Sequence, residues 1–282
     1  MKAIIRNTYG SADVLQLVEL EKPTPAVDQV LIKVHAASIN MADRYLMRGK
    51  PLMARIMTGG LLRPKSNRLG ADVAGEVVEV GRDVRGFQPG DAVYADLAAC
   101  GFGGFSEYVA VPEKYLARKP ANLSFEQAAA VPMAAVTALQ AIRDKARVKA
   151  GDKVLVYGAS GGVGTFAVQM LKAVGAEVTA VVSTRNVAAA RSPGADHVTD
   201  YTRGEFARDG RRYDVIIAAN GNRSLADYRR ALARGGVLVV TGGSMGQIFR
   251  AMLPRPARDG KRTTALSAPP SGADLAAVTE LI

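Results

Sequence analysis

Gly161 and Gly164 stand in the run Tyr157-Gly158-Ala159-Ser160-Gly161-Gly162-Val163-Gly164, with the spacing that a phosphate-binding turn requires. Glycine at 161 lets the backbone approach a pyrophosphate. Glycine at 164 lets a helix pack closely on the strand before it, and that helix's free N–H groups then face the phosphates. Ala159 occupies the place of the first glycine in G-x-G-x-x-G, so the strict pattern is missed by one methyl group. The apolar run 153–156 before the turn and the helically spaced run 165–171 after it supply the strand–turn–helix context of a dinucleotide site. Ala159, Ser160, Gly161, Gly162, Val163 and Gly164 are therefore cofactor candidates.

A second group decides which dinucleotide. NAD sites place an acid roughly 20 residues beyond the glycine turn, where it binds the ribose 2′-OH. Here the strand-like run 177–182 ends in Ser183-Thr184-Arg185-Asn186, without a carboxylate. Ser183 and Thr184 can donate hydrogen bonds to a 2′-phosphate and Arg185 can pair with it, so the expected cofactor is NADPH. Asn220, after the run 214–219, and Gly242 and Gly243, after 237–240, fall at the strand ends where open α/β sheets bind ligands.

Other chemistries find less support. One cysteine, Cys100, excludes an internal disulfide and a cysteine-cluster metal site. His35 and His197 are the only histidines and each falls in or beside a strand run, so the four ligands of a tetrahedral zinc cannot be assembled. The net charge of +11 raises the possibility of nucleic acid, with arginines gathered in 203–212 and 250–262. Acids interrupt both stretches, no aromatics interleave them, and no nucleic-acid-binding motif is visible, so a solvated basic surface is expected. No apolar run is long enough to span a bilayer, and the first residues lack a signal-peptide pattern. A cytoplasmic location is expected.

The elements that must position these residues fall into two parts. Residues 1–121 are mostly β, with strand runs at 30–34, 77–80 and 106–111 punctuated by prolines and glycines. From Ser124, a candidate N-cap with Gln127 three residues on, helical periodicity runs over 128–146, with Pro132 expected to break it. Strand runs at 154–157, 177–182, 197–201, 214–219, 236–241 and 262–267 then alternate with helical ones. That alternation predicts a parallel, doubly wound sheet over 122–282. The segment 254–270, with four prolines, reads as a loop.

Five motifs in order resemble the zinc-free, quinone-oxidoreductase-like branch of the medium-chain dehydrogenase/reductase superfamily. They are the segment 69–77 (LGADVAGEV), 81–93 with Phe87-Gln88-Pro89-Gly90-Asp91, 104–108 (GFSEY), 130–138 (AVPMAAVTA) and the glycine turn. The resemblance implies an α/β fold: a GroES-like β domain, 1–121, followed by a Rossmann domain, 122–282. It implies Asn40, Asp43 and Tyr45 as catalytic-site candidates and Thr137 and Tyr201 as cofactor contacts. The family's Asn-Pro-x-Asp is here Asn40-Met41-Ala42-Asp43. Asn40 is open to bonding a substrate oxygen, a cofactor ribose or its own turn. Asp43 is open to acid catalysis or a structural role, and Tyr45 to proton donation or simple packing. Zinc-dependent relatives carry Gly-His-Glu where this chain has Gly70-Ala71-Asp72, so no metal is expected. Without a Lewis acid, the expected reaction is hydride transfer from NADPH to a quinone or to an alkene conjugated to a carbonyl. The family's carboxyl-terminal return to the first domain is expected to be missing, which would leave a sheet edge uncovered. A homodimer is implied. The alternatives are a truncated, catalytically impaired nucleotide-binding member and a nucleic-acid-binding protein.

Overall fold

The computed structural model describes residues 1–282 except Thr58, Gly59, Glu205, 207–209, Asn222 and 254–258, and except the side chains of Met53, Ala54, Met57 and Met245. Parts of the basic stretches 203–212 and 250–262 and of the loop 254–270 thus lie outside the described residues. The chain forms two units, Met1–Val136 with Pro269–Ile282, and Thr137–Ala268.

In the first unit, β1 (Lys2–Arg6) and β2 (Leu15–Glu19) form an antiparallel pair. Then come β3 (Gln29–Ser38), α1 (Met41–Arg48), α2 (Leu52–Met57), β4 (Asp72–Val80), β5 (Ala92–Asp96), β6 (Tyr108–Pro112) and β7 (Leu116–Arg118). The last five strands make an antiparallel sheet in the order β6-β3-β4-β5-β7. Alternation turns Val30, Ile32, Val73, Val93 and Val111 inward, and all five are inaccessible to solvent. Each such side chain contributes roughly 1.5–3 kcal/mol on burial.

The expected helix over 128–146 is divided. α3 (Phe125–Ala129) begins at Ser124, whose Oγ accepts from the Gln127 N–H at 3.2 Å while Gln127 Oε1 accepts from the Ser124 N–H at 2.9 Å. Pro132 opens α4 (Pro132–Gln140), a place where its missing N–H costs nothing. A π-helical turn, Ala141–Ala146, ends the segment.

The second unit contains β8 (Lys153–Tyr157), α5 (Gly162–Val174), β9 (Glu177–Val182), α6 (Val187–Arg191), β10 (His197–Asp200), β11 (Tyr213–Ala218), α7 (Leu225–Ala231), β12 (Leu232–Val240), α8 (Met245–Met252) and β13 (Arg262–Ala265). All pairings are parallel, in the order β10-β9-β8-β11-β12-β13. The order reverses between β8 and β11, which is the switch point where doubly wound sheets bind ligands. The strands read as continuous apolar runs because helices cover both faces.

Two expectations change. Residues 122–136 belong with the β unit, because Phe125 stacks on His35 of β3 (centroids 4.4 Å apart) and Met133 bonds to Asp72 of β4. The return to the first unit, expected to be missing, is present as α9 (Gly272–Thr279). Leu275 and Val278 are buried, and Tyr94 Oη of β5 lies 3.1 Å from Leu275 O and 2.7 Å from Thr279 Oγ1. A Cβ on Gly272 would lie 2.5 Å from Leu116 O of β7, so this approach requires glycine.

Candidate active site

In the first unit, Asn40 is the N-cap of α1 rather than a free loop residue. Its N–H donates to Asp43 Oδ2 at 2.8 Å, and the Gly70 N–H donates to Asp43 Oδ1 at 2.8 Å. Asp43 is buried and both its oxygens are engaged by backbone, so it ties the start of α1 to the strand that follows. Burial raises its carboxyl above the ordinary range against those bonds. Asn40 Nδ2 donates to Ser38 Oγ at 3.2 Å and to Asp72 Oδ2 at 3.1 Å. Both amide hydrogens are thereby committed, and Asn40 keeps only its oxygen for a ligand. Binding a substrate carbonyl would need a donor, so of the expected roles the acceptor one is left. Tyr45, on α1, is half-buried and makes no hydrogen bond among the described residues.

Asp72 had no place in the expected site, yet it organises this corner. It is fully buried and also accepts from the Met133 N–H at 3.1 Å and 3.3 Å. It pairs in register with Asp96 across β4 and β5. Burial, then the charge of Asp96, push the Asp72 carboxyl well above its usual range. Burial pushes Asp96 to about 6, although the Ala98 N–H, at 2.8 Å, holds its charged form. The Cys100 thiol rises to about 11, through burial and then Asp96, which makes it a poor nucleophile.

In the second unit, the glycine turn joins β8 to α5 as expected. A Cβ on Gly164 would lie 2.2 Å from Gly158 O, so close helix–strand packing demands glycine there. A Cβ on Gly161 would meet only Gly158 O, at 3.4 Å, an ordinary contact. The protein's own packing therefore does not require glycine at 161, which fits a position kept clear for a ligand. Gly161 is the N-cap of α5, and Ala159 is buried beneath the turn. Gly158, at φ +84, approaches Asn220, where a Cβ would stand 2.8 Å from the Asn220 Cβ.

The end of β9 is more crowded than its sequence suggests. Asn186 Nδ2 donates to Ser160 Oγ at 2.9 Å and to Ser183 Oγ at 3.3 Å, joining the glycine turn to Ser183. Thr184 Oγ1 lies 2.6 Å from Asp200 Oδ2, at the end of β10. The carboxylate absent from β9 is thus supplied by the neighbouring strand, a parallel-sheet contact that linear spacing does not show. Arg185 is exposed. Tyr201 is half-buried, its ring stacked at 5.9 Å on that of Tyr157.

Gly242 and Gly243 have a structural explanation. A Cβ on Gly242 would meet Ala219 O at 2.3 Å, and one on Gly243 would meet Gly221 atoms at 2.7 Å to 2.8 Å. These glycines let the turns after β11 and β12 touch. Thr137, on α4, is buried. Among the described residues, no group of three or more His, Cys, Asp and Glu side chains is arranged to hold a metal ion. His197 lies 3.1 Å from Glu177, and no helix among the described residues is long and apolar enough to cross a membrane.

Residues 26–121 match the alcohol dehydrogenase GroES-like domain, and residues 162–262 match the zinc-binding dehydrogenase domain. The chain is 39% identical over 237 residues to a chloroplast envelope quinone oxidoreductase homolog of Arabidopsis thaliana, covering 78% of this chain and 69% of the relative. It is 38% identical over 230 residues to an NADPH-dependent alkenal/one oxidoreductase of the same plant, covering 78% of this chain and 58% of the relative. It therefore spans less than two thirds of some relatives it matches. The solved structure of a quinone oxidoreductase from Coxiella burnetii superposes with a TM-score of 0.86 at 31% identity, covering 100% of this chain and 87% of that one. Sheet order, glycine turn and these matches agree: the chain belongs to the quinone oxidoreductase branch of the medium-chain dehydrogenase/reductase family.

Proposed function

We propose that the chain is an NADPH-dependent reductase that delivers hydride to a quinone or to an alkene conjugated to a carbonyl, without a catalytic metal. The reading is carried by the end of β9, where Ser183, Thr184 and the exposed Arg185 follow a strand that itself bears no terminal carboxylate. The alkenal/one oxidoreductase, named as NADPH-dependent, supports both the cofactor and the acceptor class.

The residues present fit a dinucleotide. Gly161 leaves the turn open, and the first N–H groups of α5 are available to a pyrophosphate. When bound, the reduced nicotinamide supplies the hydride. Asn40 offers an amide oxygen held in place by Asp72 and Ser38. Ala71, buried and without a donor atom, stands where zinc-dependent relatives carry a histidine. The acceptor must then be electrophilic through its own conjugation, which favours quinones and enones over simple alcohols and aldehydes. No described side chain is assigned as the proton donor, and we assign that proton to solvent.

The test is NADPH oxidation across quinones, enals and simple aldehydes, with NADH as the comparison. Turnover is expected with quinones or enals. No turnover of either, or faster oxidation of NADH, would defeat the reading. Arg185→Ala should weaken NADPH binding on the order of 10–100-fold and leave NADH nearly unchanged. Elemental analysis should find no stoichiometric zinc.

A further inference from the structure

Three residues converge on Asp200 at the end of β10. Thr184 Oγ1 is 2.6 Å from Oδ2, while Thr202 places its N–H 2.9 Å and its hydroxyl 2.7 Å from Oδ1. Arg203 Nε lies 3.5 Å from Oδ2, with the Asp200 side chain 12% exposed and that of Arg203 78% exposed. Four donor groups thus surround the roughly four lone-pair sites of one carboxylate. The hydrogen bond from Thr184 holds the Asp200 carboxyl below the usual carboxylate range, so it is ionised at neutral pH.

The hydrogens in this cluster can be counted. The Thr184 and Thr202 hydroxyls are also 2.7 Å from each other. Three short oxygen–oxygen contacts share two hydroxyl hydrogens, so one contact always lacks a hydrogen. Thr184 can turn its O–H away from Asp200 toward an incoming oxyanion. Thr202 then keeps Oδ1 bonded through two donors and Arg203 keeps Oδ2 paired. The charges can be summed as well. An unaccompanied acid at this position would present −1 to a ribose, whereas Asp200 with Arg203 and Arg185 presents +1.

We propose that Asp200 is the positioning residue of a 2′-phosphate site, holding Thr184 and Arg203 as donors for a phosphomonoester on the adenosine ribose. It thereby sets a preference for the phosphorylated cofactor, although an acid near the ribose ordinarily favours the unphosphorylated one. The inference rests on the NADPH reading above.

Calorimetric titration of the full chain with 2′,5′-ADP and 5′-AMP isolates this role. Asp200→Asn preserves shape but removes the charge and one acceptor. The expected result is 2′,5′-ADP binding weaker by about 5–20-fold, with 5′-AMP within about twofold. The direction is diagnostic, because removing a negative charge with no positioning role would tighten phosphate binding. Tighter or unchanged 2′,5′-ADP binding overturns the proposal, and so does an equal loss for both nucleotides. If Asp200→Asn does not fold, Thr184→Val keeps the carboxylate and deletes one donor. It should weaken 2′,5′-ADP several-fold and spare 5′-AMP, and no change overturns the proposal. A wild-type chain that binds 2′,5′-ADP no better than 5′-AMP defeats the NADPH reading itself. A wild-type preference that survives in both variants defeats only the role of Asp200.

Discussion

Aspartate is used in opposite ways in the two units. In the β unit, Asp43, Asp72 and Asp96 are buried and their carboxyls are raised, chiefly by desolvation. They accept from backbone N–H groups at a helix start and beside strand ends, where the chain turns inward without a ladder partner. In the α/β unit, Asp196, Asp200 and Asp227 lie at strand ends and on helices, with their carboxyls lowered by hydrogen bonds from Lys172, Thr184 and Ser224 respectively. A parallel sheet covered on both faces has no polar face to give them. The comparison shows how sheet type decides whether an acid completes the backbone or orients a hydroxyl or cation.

The strongest way to break this contrast is Asp43→Ala. It strips the acceptor from the Asn40 and Gly70 N–H groups, each of which costs about 1–3 kcal/mol when left unsatisfied and buried. Chemical denaturation should show a loss of about 2–5 kcal/mol. A variant as stable as wild type but without turnover would return Asp43 to the catalytic role.

The second prediction concerns sign. The Asp96 carboxyl sits at about 6 in the folded chain, against 3.8 for an unperturbed group. Between those values the native state retains a proton that the unfolded chain has released. Stability from this group is therefore fully present below the unfolded value and lost as pH rises through the folded one. Asp96→Asn removes the penalty and can still accept from Ala98. It should match wild type near pH 4 and exceed it at pH 8 by up to about 3 kcal/mol. Melting curves at the two pH values check this, and a variant less stable at pH 8 would contradict it.

The smallest effect is expected in the second unit. Lys172 Nζ and Asp196 Oδ2 are 2.8 Å apart, with side chains 33% and 36% exposed, so water and salt screen the pair. Lys172→Ala should cost roughly 0.5–1 kcal/mol and less at high salt. Because the Asp196 carboxyl is lowered, its contribution is present above the unfolded value and disappears as pH falls through the folded one, opposite to Asp96. Equal pH responses for the two sites would remove the contrast.

Much of the fold is legible because its signals are local. The strands of the second unit, the Ser124 cap and the glycine turn each depend on residues a few positions apart. The site is less legible because its contacts are not local. Asp200 reaches Thr184 across the pairing of β9 and β10, and Asp72 reaches Asn40 across that of β3 and β4. Gly242 and Gly243 show the converse error, since glycines at a strand's carboxyl end suggest a ligand yet here relieve contact between two turns. The helical return α9 carries ordinary helical spacing, and nothing in that spacing says which sheet it will cover.

The hydroxyl of Tyr94 finds its partners 181 and 185 positions later in the chain. The second unit is an insertion within the first, and its own residues are contiguous. As the chain leaves a ribosome at about 5–20 residues per second, the first sheet waits on the order of ten to forty seconds for the helix that lies along β7. The inserted unit can collapse on its own contacts during that interval. Synthesis therefore imposes an order of assembly, with the portion made first being the last to close.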